Sequence, residues 1–89
     1  MKAVITVVGR DSKGIISKVS SACAEAGANI EDISQSIIGD YFAMIMVVNT
    51  SELSMAFTDF VDSMTKLGEA NGLDIRTMHE SIFNSMHKI

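Results

Sequence analysis

The 89-residue chain contains no proline and no tryptophan, and it has one cysteine and one tyrosine. The lone Cys23 excludes a disulfide framework and a Cys-x-x-Cys metal site, and it suits a reducing cytoplasm. The formal net charge is −4 and the chain has no basic cluster, which argues against nucleic acid as a partner. The longest apolar run, Tyr41 to Val48, is far shorter than the roughly 20 residues that cross a bilayer. The composition therefore predicts a cytoplasmic protein that binds neither nucleic acid nor membrane.

Apolar residues are abundant for so small a chain. They make up 47% of the sequence, and the mean hydropathy is +0.28. A domain of this size has too little interior to bury that much apolar surface, so the excess favours an oligomer or a tightly held partner. With no linker and no low-complexity run, we expect a single domain over residues 1–89.

Three segments have the character of paired strands. Residues 2–8 and 41–49 are apolar on both alternating sets of positions, which is typical of central strands. Residues 29–38 alternate imperfectly, which indicates a twisted or bulged edge strand. The four isoleucines of this edge strand divide between its two faces: Ile33 and Ile37 on one, Ile30 and Ile38 on the other. Gly39 and Asp40 form a two-residue turn signal with glycine first, which predicts a type II′ hairpin.

Helical periodicity appears in three other segments. The first has an apolar stripe at spacings of three and four and is followed by Gly27, a common left-handed end to a helix. A second helix is predicted over residues 51–70 or 52–70, a fourth strand over 73–79, and a short terminal helix over 81–89. The stripe of the first helix consists of Ile15, Ile16, Val19, Ala22, Cys23 and Ala26.

The resulting order, βαββαβ plus a terminal helix, predicts an α+β, ferredoxin-like sandwich. Two right-handed crossovers that share a hairpin give a four-stranded antiparallel sheet with two helices on one face. The first and third strands are then central. The other face also carries apolar side chains, so we expect a second subunit, the terminal helix, or both to cover it.

This fold carries many functions, so the residues have to decide among them. A metallochaperone lacks its Cys-x-x-Cys, and an RNA-binding module lacks aromatic residues on the central strands. An acylphosphatase-like enzyme is the remaining catalytic candidate, because "GRDSKGI" superficially resembles the Gly-Arg-x-x-Gly-Val loop of that family. However, the second glycine is one residue too far along, and no asparagine lies in residues 38–48 to position a water molecule. The enzyme interpretation is therefore weak.

The chain resembles the ACT domain family over nearly its whole length. The resemblance is carried by Asp11-x-x-Gly14-Ile15-Ile16, by Val19, by Gly27-Ala28-Asn29-Ile30 and by Asp32. It is similar in particular to the ACT domains of formyltetrahydrofolate deformylase and of the glycine-cleavage repressor, and to free-standing ACT proteins. Lys13 stands where the loop of that family often has proline. The resemblance implies a regulatory module that binds a small molecule.

The loop that precedes the first helix supplies most of the candidate ligand-binding residues, Asp11, Ser12, Lys13, Gly14 and Ile15. Gly14 lets a ligand carboxylate approach the free amides and positive dipole of the first helical turn, or its backbone angles alone require glycine. Asp11 accepts a ligand ammonium, or it caps the helix, as Ser12 equally can. Lys13, like Arg10, has a plain interpretation as a solvated charge.

The second part of the candidate site is the start of the second strand, Asn29 and Ile30. By resemblance, Asn29 presents its side chain to an amino acid lodged between subunits, and its carboxamide has both the donor and the acceptor that a zwitterion requires. The plain alternative is a turn asparagine. Ile15 and Ile30 wall the pocket or simply belong to the core. We expect Asp11 and Gly14 to lie close to Asn29.

The function that these residues and the resemblance imply is a regulatory ACT module that binds a small molecule, an amino acid, at the interface of a homodimer or higher oligomer. It needs no cofactor, metal or catalytic residue, and it acts on a regulated enzyme or regulator. The alternative is a ligand-free structural module that only dimerises.

Overall fold

The computed structural model describes residues 1–10 and 13–87. The chain forms a βαββαβ unit followed by a short third helix, which confirms the predicted α+β, ferredoxin-like fold. The elements are β1 (Lys2–Gly9), α1 (Ile15–Ala26), β2 (Asn29–Ile38), β3 (Tyr41–Asn49), α2 (Phe57–Asn71), β4 (Asp74–His79) and α3 (Glu80–Met86).

The four strands form one antiparallel sheet in the order β2-β3-β1-β4. The two segments that are apolar on both faces, β1 and β3, are its central strands, as predicted. At the β2–β3 hairpin, Ile38 pairs with Tyr41, so the loop has two residues. Gly39 has a φ of +60°, and no described non-glycine residue has a positive φ. This combination fits the predicted type II′ turn, in which only the first loop residue needs a positive φ.

The core lies between the sheet and helices α1 and α2. Alternate residues of β1 and β3 point into it, since successive side chains of a strand face opposite ways. Cys23, on the buried stripe of α1, is fully buried there, and this burial raises the pKa of its thiol to about 11. The cysteine is therefore a packing residue with little thiolate character near neutral pH. The largest fully buried side chains are Phe60, Ile5, Met44, Met46, Met64, Val7, Val19, Val48 and Cys23.

The opposite face of the sheet, here called the open face, is partly covered by α3. This helix contacts β1 and β4. Val4 points away from α1 and α2, yet it is only 2% exposed, because α3 lies on that side. One of the two predicted covers is thus present within the chain itself. The large apolar side chains of the open face that stay exposed are Val8, Ile38, Tyr41 and Ile45.

The second helix begins later than predicted. It starts at Phe57, whereas the apolar spacing indicated a start at residue 51 or 52. Leu53 packs against the core, but it does so from a turn in which its N–H donates to the carbonyl of Thr50 at 3.2 Å. The third helix ends at Met86, and the last two residues of its predicted range lie outside the described residues.

The predicted bulge in the edge strand is present, and it changes one prediction. The register of β2 against β3 shifts between Ile30 and Asp32, so Glu31 is the extra residue. Residues directly opposite one another in an antiparallel pair share a face. Ile30 pairs with buried Val48 and therefore faces the helices, like Ile33 and Ile37. Its predicted place on the other face, with Ile38, was wrong, because the bulge reverses the alternation.

Among the described residues, no helix combines the length and the apolar character needed to span a membrane.

Candidate functional site

Gly14 is the N-cap of α1 and has a φ of +74°. That backbone conformation by itself favours glycine. A Cβ atom built on Gly14 would meet no described residue within 4 Å, so residues 1–10 and 13–87 leave room directly beside it. Lys13, next to it, is exposed. Two other candidate ligand residues, Asp11 and Ser12, lie outside the described residues.

Asn29 lies at the other end of α1. It is the first residue of β2 and is exposed, while Gly14 immediately precedes the helix. The 12 residues of α1 rise by roughly 18 Å at about 1.5 Å each. One copy of the chain therefore does not bring Gly14 and Asn29 together, contrary to the expected proximity.

Ile15 and Ile30, the two predicted walls of the pocket, contact the core. Ile15 is buried, and Ile30 is partly buried and packs against the same cluster. The structure thus gives both side chains the plain packing role that was their alternative interpretation. Ile30 also contributes to a surface cleft.

Two adjoining clefts surround Asn29 at the end of the sheet where β2 begins. One has a volume of about 390 Å³ and lies against α1. The other, of about 270 Å³, lies against the loop after β3. Asn29 and Glu52 line both of them. The other lining residues are Ser20, Ala24, Gly27, Ala28 and Ile30 in the first cleft and Asn49 and Ser51 in the second.

The loop that carries Glu52 is held by hydrogen bonds on both sides. The N–H of Ser54 donates to the carbonyl of Ala26 at 2.8 Å, and its hydroxyl donates to the same oxygen at 3.1 Å. The N–H of Thr50 donates to the carbonyl of Met1 at 2.8 Å. The N–H of Ser51 donates to Oδ1 of Asn49 at 2.9 Å. The position of Glu52 is therefore set by the ends of α1, β1 and β3.

An ion pair on the open face lies next to these clefts and contacts Asn49, one of their lining residues. Nζ of Lys2 lies 3.0 Å from Oε1 of Glu31, and Nδ2 of Asn49 donates to Oε2 of Glu31 at 3.4 Å. The hydrogen bond from Lys2, followed by that from Asn49, lowers the pKa of Glu31 below its usual range. The same contact raises the pKa of Lys2. The carboxylate of Glu31, the extra residue of the bulge, is thus ionised and already paired with Lys2 and Asn49.

A third cleft, of about 450 Å³, lies at the opposite end of the sheet, beside the β2–β3 hairpin. Arg10 lines it and lies over the ring of Tyr41, with its guanidinium carbon 5.6 Å from the ring centroid. The guanidinium also donates to the hydroxyl of Tyr41 at 3.5 Å. Arg10 is therefore held on an aromatic surface, whereas the sequence suggested an ordinary solvated charge.

Sequence reasoning missed Glu52, Asn49 and Tyr41 as parts of these clefts. Glu52 was assigned to a helix, and Asn49 was taken only as the end of a strand. The pattern Asn49-x-Ser51, in which an asparagine side chain accepts the amide two residues on, was the available signal for a turn. In residues 1–10 and 13–87, no group of three or more His, Cys, Asp or Glu side chains is placed to hold a metal ion.

Residues 2–78 match the family model of the ACT domain. The chain belongs to the ACT domain family. This family is a regulatory, ligand-binding module, which confirms the resemblance carried by the Asp11–Asp32 segment. A UPF0237 protein of Methanopyrus kandleri is 42% identical over 88 residues, which cover 99% of this ACT domain and 98% of that protein.

Solved structures agree with this assignment. An ACT domain protein from Streptococcus pneumoniae superposes with a TM-score of 0.83 at 41% identity, and the match covers 93% of each chain. A glycine cleavage system transcriptional repressor gives a TM-score of 0.69 at 27% identity over 85% of this chain and 43% of that one. A formyltetrahydrofolate deformylase from Pseudomonas syringae shares the fold, with a TM-score of 0.78 at 22% identity over 88% of this chain and 27% of that one. Both of the latter proteins are thus much longer than this ACT domain.

Proposed function

We propose that this ACT domain senses an amino acid, which it binds between two copies of the chain paired along strand β2, and that the bound ligand regulates a partner protein. One observation carries the proposal. Gly14 and Asn29, which carry the family resemblance, lie at opposite ends of α1 and form no common site within one copy. Antiparallel pairing of two β2 strands removes this difficulty, because it places the start of one β2 beside the end of the other.

The free edge of β2 is suited to pairing with another strand. It is 10 residues long, and every residue from Glu31 to Ile38 is exposed. Natural edge strands are usually protected by shortness, proline, charged side chains or bulges. In β2 the charges and the bulge lie together at Glu31 and Asp32, and residues 33–38 contain no charge and no proline. The only irregularity of β2 is the bulge at Glu31. Two isoleucines on its helix-facing side, Ile33 and Ile37, are 37% and 72% exposed.

The pattern of faces selects one register for such a pair. From Asp32 to Ile38, odd-numbered residues face the helices and even-numbered residues face the open side. Directly opposed residues share a face. The two-fold axis must therefore lie level with one residue, which then faces its own copy in the partner subunit, and not level with the midpoint between two successive residues. With Gln35 on the axis, Ile33 lies opposite Ile37 of the partner subunit, twice by symmetry. Axes through Ser34 or Ser36 instead set an isoleucine against Gln35.

This register brings the two halves of the candidate site together. Continued past the bulge, it places Asn29 beside Gly39 and Asp40 of the partner subunit. That hairpin adjoins Arg10 in each chain and lies at the end of the sheet where β1 ends and α1 begins. The clefts at the two ends of β2 then face each other across the interface, with amides and a guanidinium to receive a zwitterion.

The ligand is tested by measuring the thermal unfolding of the protein with each of the 20 amino acids. A ligand at 100 times its Kd adds about 2.7 kcal/mol to the free energy of unfolding. For a domain of this size that corresponds to a rise in Tm of roughly 10–20 °C. We expect one amino acid, or a chemically related few, to give such a rise. A folded dimer that responds to none of them would indicate the ligand-free structural module instead.

The register is tested by oxidative cross-linking of Gln35→Cys. Its two copies would lie directly opposite each other, with Cβ atoms about 5 Å apart, so we expect a rapid intermolecular disulfide. Ser34→Cys is the matched control, because its copies would lie diagonally, about 7–8 Å apart, and cross-link slowly. The buried Cys23 does not compete. Faster cross-linking of Ser34→Cys would contradict the register centred on Gln35.

A further inference from the structure

We propose that Glu52 binds the ammonium group of the ligand, in the clefts that it shares with Asn29, and that the ligand is therefore an amino acid with an unblocked amino group. This inference rests on the proposed function for the class of ligand. It assigns a charge-recognising role to a residue in the loop after β3, outside the segment that carries the resemblance to the family.

The hydrogen-bond partners of the neighbouring side chains single out Glu52 and Asn29. Glu31 is paired with Lys2 and Asn49. Asn49 uses its Nδ2 for that contact and its Oδ1 to accept the N–H of Ser51. Within the described part of the chain, the carboxylate of Glu52 and the carboxamide of Asn29 have no hydrogen bond or ion pair. Of the carboxylates and carboxamides that line the clefts, these two are thus the ones that remain available to a ligand.

The carboxylate of Glu52 stands on a fixed backbone. Besides the bonds at Ser51 and Ser54 on either side of it, Gly27 packs directly against its carbonyl oxygen. A Cβ atom built on Gly27 would collide with that oxygen. A loop anchored this firmly loses little conformational entropy when a ligand binds to it, which favours affinity.

The shape and chemistry of the clefts match a small zwitterion. Ser20, Ala24 and Ala28 leave a cleft of about 390 Å³, enough for a free amino acid. The Glu52 carboxylate accepts from the ligand ammonium, and a charge-assisted bond of this kind is among the stronger hydrogen bonds. The amide N–H groups of Asn29 donate to the ligand carboxylate, and the partly buried Ile30 provides apolar contact for an aliphatic side chain.

The test compares Glu52→Gln with wild type in calorimetric titrations of the 20 amino acids. Glutamine keeps the shape of the side chain but removes the charge, so we expect at least tenfold weaker binding, since hydrogen bonds to charged groups are the stronger ones. Glu69→Gln is the matched control, because it removes the same charge from an exposed position on α2. We expect it to bind as wild type does.

A second arm needs no variant. The N-acetyl derivative of each amino acid that binds wild type should bind at least tenfold more weakly, because it has lost the ammonium group. Unchanged affinity of Glu52→Gln, or binding of an N-acetyl derivative as tight as that of the unmodified amino acid, would overturn the assignment of Glu52. Neither result would contradict the proposal that the domain senses an amino acid. Failure of all 20 amino acids to bind wild type would overturn both. Sedimentation of Glu52→Gln as wild type shows that a loss of affinity does not arise from lost pairing.

Discussion

Gly27→Ala is expected to lower the free energy of unfolding by about 3 kcal/mol or more, through two separate costs. The first is the backbone: Gly27 has a φ of +82°, and a left-handed conformation costs a residue with a Cβ atom roughly 1–2 kcal/mol. The second is the collision of the new methyl group with the carbonyl oxygen of Glu52. Relief of this collision requires the loop after β3 to move away from α1, which weakens the bonds from Ser54 to Ala26.

Gly72→Ala separates these two costs. Gly72 also ends a helix, with a φ of +67°, but a Cβ atom there would meet none of the described residues within 4 Å. We expect a loss of about 1 kcal/mol, or roughly 4–8 °C in Tm for a domain of this size. Thermal unfolding at one fixed protein concentration measures both variants. Equal losses for the two would contradict the close approach between Gly27 and the loop of Glu52.

The same contact links stability to the candidate site. Gly27 closes α1 with two backbone bonds, its own N–H to the carbonyl of Ala24 and that of Ala28 to the carbonyl of Cys23, the pattern of a Schellman motif. The chain turns there toward Asn29, and Glu52 rests on the turn. The end of the first helix therefore fixes the backbone at Asn29 and at Glu52, whose carboxamide and carboxylate have no hydrogen-bond partner among the described residues.

The sequence predicted the elements whose patterns depend on local periodicity. The apolar residues on both faces of β1 and β3 identified them as the central strands, because this pattern is typical of strands that are covered on both faces. Gly27 and Gly72 marked the ends of helices α1 and α2, where both have the left-handed φ expected of a helix end. The α2 start at Phe57 was missed because Leu53 continues the helical spacing although it packs from a turn, whose hydrogen bonds depend on distant partners.

The candidate site was less predictable than the fold, for a geometric reason. The spacing of motifs along the chain says nothing of the length of α1 that separates Gly14 from Asn29. The extra residue at Glu31 likewise reversed the face of Ile30, and a period of two does not reveal a bulge. Glu52 stood out only once the hydrogen-bond partners of its neighbours were known.

Ile37→Lys is expected to dissociate the proposed β2–β2 pair. In the register centred on Gln35, Ile37 lies against Ile33 of the partner subunit. The two-fold symmetry gives two such contacts, so one substitution in the sequence removes both. Burial of an isoleucine side chain contributes about 1.5–3 kcal/mol. The dimer contains two copies of the substitution, so together they raise the Kd of dimerisation at least about 100-fold. Because Ile37 is 72% exposed in the single chain, the variant should keep its fold. Sedimentation equilibrium measures the dissociation, and the unfolding midpoint of the isolated chain reports the fold.

Ile38→Lys is the matched control, because Ile37 and Ile38 are adjacent and almost equally exposed, at 72% and 69%. The same register places Ile38 opposite Asp32 of the partner subunit, where a lysine meets a carboxylate. Ile38→Lys should therefore dimerise at least as well as wild type, and Ile37→Lys should lose the dimer and, with it, the thermal response to amino acids. Dissociation by Ile38→Lys with Ile37→Lys intact would instead place the interface on the open face, with Val8 and Ile45, and would separate the ligand site from the pairing of β2.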